Sequence, residues 1–351
     1  MLRSLVIILV VLIIIGLTAV AAVNYFYLSL LEPVDPTLVE EYVIVEIPSG
    51  AGTEAIAEIL EREGLIQNTI AFRYYVRSNN LGHTFMAGTY QLSPAMDVEQ
   101  IANKLQSGDI YSETTWFTIP EGYTIEQMAD RLEDEGLVDG TKFLGLAGNP
   151  TESILDAFPE LRSVDDSEVD YLLEGYLYPD TYEIYINTTE EEIIKLMLTR
   201  MNRVIDEESK TRAEQLDLNI HEVLAIASLI EREAAVAHER DRISGVIHNR
   251  LEIGQLLQID ATIQYILGET KEFLTYADLE IPSPYNTYKY PGLPPGPIAA
   301  PGQPSIEAAL YPEDTDYFYY NYKYDDTGEH FFSKTYEEHL ENVRRAEENL
   351  D

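Results

Sequence analysis

Two glutamates stand two positions apart where a long apolar run ends, in ASLIEREAAVAHERD, Ala227 to Asp241. A carboxylic acid that keeps its proton near neutral pH can act as a general acid, and desolvation is what raises its pKa. On a helical wheel begun at Val223, the apolar stripe runs through Ile226, Ala227, Ile230 and Ala234, and Glu231 and Glu233 point ~200° apart. They cannot share one pocket face. Glu233 has the bulkier flank, Ile226 and Leu229, whereas Leu224, Ala227 and Ala235 surround Glu231, which tilts the choice of acid slightly toward Glu233. Both also read as surface charges of a last helical turn, although a helix C-terminus disfavours carboxylates.

Other chemistries find little support. The chain has no cysteine, so thiol nucleophiles, thiolate metal sites and disulfides are excluded together. Its six histidines are scattered, with no HxH or HExxH pair, and no metal or other cofactor is expected. Neither GxSxG nor SxxK occurs, which leaves carboxylate acid–base catalysis. The 25 tyrosines suit a carbohydrate ligand and equally a folded core. With 23 basic against 62 acidic residues the net charge is −39, which repels nucleic acid.

The elements that must position these residues follow an α+β pattern. Leu5 to Val23 is uncharged and apolar character continues to Leu31, so residues 1–31 read as a transmembrane anchor. Arg3 before it and Glu32, Asp35, Glu40 and Glu41 after it place the N-terminus in the cytoplasm and the body outside. A cleaved signal peptide is the competing reading, with Ala19-Val20-Ala21 as its site. Pro33 and Pro36 open a linker over 32–41.

Val43–Ile66 and Trp116–Val138 then form an internal repeat: strand, IP-x-G turn, amphipathic helix, terminal glycine. Ile47 matches Ile119, Gly50 matches Gly122 and Gly64 matches Gly136, the last pair suiting left-handed caps. With the strand and helix between the copies, residues 42–110 resemble the LysM-like module of cell-wall proteins, which would bind glycan. A spacer is an equal reading. Residues 111–351 form a mixed α+β catalytic domain, with helices over 190–208, 221–234 and 238–254 and a tyrosine-bearing strand near the end. The proline-rich stretch from Ser283 to Ser305 carries Tyr285, Asn286, Tyr288 and Ile298, as an ordered active-site loop would.

The series EGYLYPDTYEI, ASLIEREAAVAHERDRISGVIHNRL, GQLLQIDATIQY, SPYNTYKYPGLPPGPIAAPG and HFFSKTYEEH, in this order, resembles the endolytic murein transglycosylases, the YceG-like family. The resemblance runs from the anchor to about residue 345. It implies that Glu233, the second glutamate of S-x-x-E-x-E, is the catalytic acid/base. It further implies cleavage of the MurNAc–GlcNAc β-1,4 bond of nascent peptidoglycan strands, closing 1,6-anhydro-MurNAc ends beside peptidoglycan synthases such as penicillin-binding proteins. Gln258, Asp260, Thr262, Tyr285, Asn286, Thr287, Glu174 and Tyr176 are candidate substrate-binding residues, each also readable as loop scaffold. Asp180 and Asp260 are the places to look for a supporting or hydrolytic carboxylate, and Tyr182 belongs to the first of these segments. The alternative function is a non-catalytic, membrane-anchored glycan-binding scaffold for wall synthases.

Overall fold

A computed structural model describes residues 2–111, 113–271 and 273–350; the side chains of residues 2–6, Arg3 among them, and of Asp166 lie outside the description. Contacts divide the chain into two units, Met1–Glu113 and Thr114–Asp351.

The first unit starts with helix α1 (Leu2–Ser29). Within it Ile7–Ser29 is a 23-residue apolar span, exposed from Ile7 to Phe26, and at ~1.5 Å per residue it is long enough to cross a bilayer. Strand β1 (Val43–Ile47), helices α2 (Thr53–Arg62) and α3 (Thr69–Ser78), strand β2 (Gly88–Leu92) and helix α4 (Val98–Ser107) complete the unit. β1 and β2 pair antiparallel from Val43↔Leu92 to Ile47↔Gly88. Their inward side chains, Val45, Ile47, Tyr90 and Leu92, meet the apolar faces of the helices at Leu60, Phe72 and Leu105. The acidic segment 32–41 lies along this unit, with the Ser93 hydroxyl donating to Leu38 O (2.8 Å) and Gln67 Nε2 to Glu32 O (3.0 Å).

The second unit begins with the other copy of the repeat, strand β3 (Thr114–Thr118) and helix α5 (Ile125–Asp134). The two copies end alike. Leu65 N–H reaches Leu60 O at 2.8 Å and Leu137 N–H reaches Leu132 O at 2.9 Å. The glycine before each stands at φ 71° or 70°, so both helices close in a left-handed cap. After helices α6 (Gly140–Gly148) and α7 (Glu152–Ala157), strand β4 (Thr181–Tyr185) returns antiparallel to β3, from Thr114↔Tyr185 to Thr118↔Thr181. Each copy of the repeat thus opens a strand–helices–strand unit.

Helix α8 (Glu190–Val204) stops short of the expected Glu208. Asp206 accepts from Ser209 N (2.9 Å) and starts a separate helix α9 (Glu207–Gln215), because a side chain that caps a new helix competes with continuation of the old one. Helix α10 (Ile220–Glu233) opens on a capping box between Asn219 and Glu222 and is buried without interruption from Val223 to Ile230. His221 and Glu222 at its start and Glu231 to Glu233 in its last turn are part-exposed. Around it lie α11 (Arg240–Glu252), α12 (Asp260–Leu267), the single turn α13 (Tyr276–Leu279) and α14 (Gln303–Leu310). Strands β5 (Tyr319–Tyr322) and β6 (His330–Ser333) pair antiparallel, and α15 (Tyr336–Leu350) ends the unit.

The stretch 283–302 has no regular element, yet it is packed: Tyr285, Ile298, Ala299 and Ala300 are buried. Ile298 N–H donates to Ser228 Oγ of α10 at 3.0 Å. At Gly175 (φ +77°) an added Cβ would sit 2.3 Å from Pro297 Cβ, so the EGYLYPDTY segment backs directly onto this loop. Gly136 has similar dihedrals and open space around it. Gly136→Ala is therefore expected to lower stability by about 1 kcal/mol and Gly175→Ala by about 3 kcal/mol or more, read from denaturant unfolding of the detergent-solubilised chain. Equal losses would show that the loop yields at Pro297.

Candidate active site

The last turn of α10 separates its two glutamates. Glu231 turns toward the start of α14, where its Oε2 accepts from Gly302 N (3.0 Å) and the Ser305 hydroxyl (2.7 Å), with Arg240 3.8 Å from its other oxygen. Here a carboxylate satisfies orphan donors at a helix N-terminus. Arg232, between the two glutamates, donates to Gly122 O (3.1 Å), and Gly122 N donates to Ala300 O (2.8 Å). The IP-x-G turn of the second repeat is thereby fastened to the end of α10 and to the proline-rich loop.

Glu233 keeps different company. It is half-buried, and its Oε2 accepts from the Tyr320 hydroxyl at 3.0 Å. Ala261 N–H, in the first turn of α12, also bonds it. Burial pushes its pKa up to about 7, and the neighbouring Asp260 charge adds to the rise; Tyr320, the Ala261 amide and Arg232 oppose it. A carboxyl at the negative end of a helix is disfavoured as an anion in the same sense. The outcome is a side chain that is part acid and part carboxylate near neutral pH, the condition general acid–base catalysis requires.

Asp260 is exposed and receives a hydrogen bond from the Tyr288 hydroxyl. Burial raises the Tyr288 pKa, with the Asp260 charge next, so that hydroxyl stays a donor. Arg250 is buried behind the tyrosines, donating to Phe318 O at 2.6 Å and to Leu257 O, with its guanidinium 5.3 Å from the Tyr319 ring centre. Gln258 is exposed, stands at φ 48° and donates its N–H to Thr287 O (3.0 Å). Thr262, Asn286 and Thr287 are buried with their polar groups engaged inside the scaffold. Thr287 Oγ1 accepts from Ile259 N (3.0 Å) and meets Thr262 Oγ1 (3.0 Å), while Asn286 Nδ2 donates to Leu279 O (3.0 Å) and Ile281 O (2.8 Å).

The remaining candidates lie apart from Glu233. A cleft of about 600 Å³ is lined by Glu174, Tyr265 and Tyr285; Glu233 is not among its walls, though its neighbours Arg232 and Ala261 are. Glu174 is buried, accepts from Ile125 N at the start of α5 (3.2 Å) and from Tyr265 (3.4 Å), and burial pushes its pKa up to about 8. Tyr176 points into the core, its hydroxyl bonded to His221 Nδ1 (2.7 Å). Tyr182 also belongs to the core and donates to Tyr178 O (2.6 Å). Asp180 is partly buried, which pushes its pKa up, but the 2.7 Å bond from Arg200 prevails and holds it below the usual range. Tyr288 was expected in an active-site loop and does lie beside Asp260, whereas Tyr320, Arg250 and Ser305 are site neighbours that sequence reading did not single out.

The YceG-like family matches residues 45–345 of the chain. An endolytic murein transglycosylase of Bacillus subtilis is 39% identical over 316 residues, covering 89% of this chain and 86% of that protein. A protein of the same name from Streptococcus pneumoniae is 33% identical over 341 residues, 91% of this chain and 60% of the longer relative. A crystal structure of a YceG-like protein from Listeria monocytogenes is 38% identical with TM-score 0.58, over 86% of this chain and 99% of its own.

The contrast between the glutamates is testable through stability. A carboxyl whose folded pKa is raised from 4.5 to about 7 contributes stability below the lower value and loses it as pH rises through the upper one. Glu233→Gln removes that loss, so relative to wild type it is expected to gain on the order of 2 kcal/mol between pH 5 and pH 8. Glu231→Gln should instead be destabilised by about 2 kcal/mol at both pH values, because Arg240 and the α14 donors lose an anionic partner. Thermal unfolding at the two pH values checks both; a Glu233→Gln curve parallel to wild type would count against the raised pKa.

Proposed function

The chain belongs to the YceG-like family, and we propose that it is a membrane-anchored endolytic murein transglycosylase in which Glu233 is first the acid and then the base. The observation that carries this reading is a half-buried carboxyl whose pKa burial pushes up to about 7, beside Asp260 and hydrogen-bonded by the Tyr320 hydroxyl. In the protonated state Glu233 gives its proton to the glycosidic oxygen between MurNAc and GlcNAc as the C1–O bond breaks. The C6 hydroxyl of the same MurNAc closes on C1, and its proton passes to the Glu233 carboxylate. The product is a 1,6-anhydro end, no water is consumed, and the acid is restored.

A nucleophile already tethered to the sugar needs no second carboxylate to hold it. Asp260 raises the Glu233 pKa and so helps keep the proton in place before reaction. Tyr320 holds the carboxyl in one orientation and stabilises it once ionised. The apolar span Ile7–Ser29 of helix α1 supplies the anchor; Arg3 before that span and the acidic run after it favour a cytoplasmic N-terminus, with the body among nascent strands beside peptidoglycan synthases. Residues 42–110 are assigned a LysM-like role, holding glycan near the anchor; the support is the strand–helices–strand arrangement of that unit.

Incubation with purified peptidoglycan is expected to yield anhydro-MurNAc ends by mass spectrometry, with Glu233→Gln reducing their rate of formation by about 100-fold or more. Wild-type kcat/KM should fall as pH rises through about 7, when the acid is lost. Asp260→Asn should move that limb to lower pH, since it removes a charge that favours the proton. Ordinary reducing ends would overturn the transglycosylase reading and give Asp260 the role of activating water.

A further inference from the structure

The chain holds 62 acidic residues, yet none falls between Gly64 and Met96, a stretch that carries Arg73, Arg77 and His83. Helix α3 lies within it. At ~100° per residue Ile70, Arg73, Tyr74 and Arg77 share one arc of this helix, and all four are exposed, whereas Ala71, Phe72 and Val76 face the core of the first unit. Ile70 is 71% exposed and Tyr74 60%. An apolar and basic face is thereby turned away from the core.

The end of the apolar span fixes what lies beside that face. The Tyr27 ring, near the C-terminus of α1, stands 5.1 Å from that of Tyr74 and edge-on to it. Ser78, one turn further along α3, bonds the Tyr27 hydroxyl. Before the other end of α3, Gln67 Nε2 donates to Glu32 O (3.0 Å) and Pro33 O (3.1 Å), beyond the last residue of α1. From Gln67 to Ser78 the chain therefore runs back beside the end of the span, from residues 32–33 to Tyr27. Tyrosines near the ends of a membrane helix occupy the headgroup layer, and a face that continues from Tyr27 through Tyr74 to Arg77 enters the same layer.

Charge favours the same occupant. A body of net charge −39 is repelled by an anionic leaflet, except through a face cleared of acid. The acids packed nearest α3 are engaged or lie off the stripe. Glu54 of α2 accepts from Arg73 (2.8 Å), Glu61 accepts from Thr69 N (3.1 Å), and Asp97 and Glu99 face Tyr75 on the opposite edge of α3. Arg77 has no ion-pair partner among the described residues.

We propose that the Ile70–Arg77 face of α3 docks on the leaflet at the C-terminal end of α1, with Ile70 and Tyr74 seated among the headgroups and Arg77 paired with the phosphate of an anionic phospholipid. The proposal rests on α1 as the anchor in the reading above, and not on the chemistry at Glu233. Two fastenings, the span and this face, hold the first unit in one orientation on the membrane.

The absence of cysteine lets a single fluorescent label report each position. The full chain is reconstituted in vesicles of phosphatidylcholine and phosphatidylglycerol, with nitrobenzoxadiazole on Ile70→Cys, on Glu46→Cys in the outward face of β1, or on Thr18→Cys within the span. Nitroxides on lipid headgroups are expected to quench the Ile70→Cys label and to spare the Glu46→Cys label. Adding Arg77→Glu should lower the ratio of docked to free face by about tenfold or more, and replacing phosphatidylglycerol with phosphatidylcholine should lower it as well. Equal quenching of the Ile70→Cys and Glu46→Cys labels, or quenching indifferent to Arg77→Glu, would overturn the proposal. So would self-quenching of the Ile70→Cys label that grows with chain density, since a second copy would then be the occupant. If a nitroxide deep in the acyl chains fails to quench the Thr18→Cys label, the anchor reading itself fails; quenching there without quenching of the Ile70→Cys label defeats docking alone.

Discussion

A carboxyl keeps its proton near neutral pH only where no cation is in direct contact with it, and the surroundings of Glu233 meet that condition. An arginine within contact distance lowers a carboxyl pKa by about 1–3 units, enough to ionise Glu233 outright. Yet three arginines lie near the end of α10. Each is held elsewhere: Arg232 by Gly122 O, Arg240 beside Glu231 and Ser305, Arg250 by the carbonyls of Leu257 and Phe318. The hydrogen bond that does reach Glu233 from a side chain comes from Tyr320, a neutral donor that orients the group without forcing it to ionise. Buried α10 provides the rigid mount, and its C-terminal dipole acts in the same direction as burial.

The internal repeat shows how one local sequence pattern serves two ends. Both copies make a strand, a glycine turn and a capped helix, with Gly50 and Gly122 at the same φ of 77°. In the second copy the turn has acquired partners: Gly122 N–H holds Ala300 O, Tyr123 O accepts from Ala300 N, and Arg232 grips Gly122 O. Those bonds tie the proline-rich loop to the end of α10. Glu121 of the same turn sits against Gly302, where a Cβ would fall 2.0 Å from its Oε1, so a larger residue there would displace the Glu121 carboxyl. Burial raises the Glu121 pKa and the Glu231 charge raises it further, with Arg240 opposing, so crowding of acids is shared across this seam.

Much of the scaffold was legible because it rests on local rules. The left-handed glycines 64 and 136 and the apolar stripe of α10 are written in neighbouring residues. Helical geometry alone separated Glu231 from Glu233, and the structure gives them different partners. What stayed hidden was long-range. Tyr320 meets Glu233 across 87 positions, and nothing in YFYYNYKYDD distinguishes it from its neighbours until β5 is placed. Glu174 and Tyr176 stand two apart in one motif, but the left-handed Gly175 turns the chain between them, so one faces the cleft and the other the core. Thr262, Asn286 and Thr287 have the residue types of sugar-binding groups, and their burial with mutual hydrogen bonds is a fact of loop packing that composition does not carry.

The abundance of tyrosine in so acidic a chain then has a physical reading. A protein of net charge −39 that must hold protonated carboxyls can use few lysines or arginines near them, yet buried carboxyls still need hydrogen-bond donors. The tyrosine hydroxyl supplies a donor with no charge, and burial beside acids raises its own pKa, which secures it in that role. The arrangement recurs: Tyr320 serves Glu233, Tyr288 serves Asp260, Tyr265 serves Glu174 and Tyr171 serves Glu126. Pairing each acid with a phenol lets the field of the surrounding carboxylates work in favour of the proton. The negative charge of the chain thereby acts in the same direction as burial on Glu174 and Glu233, the two carboxyls whose pKa is pushed up to about 8 and about 7.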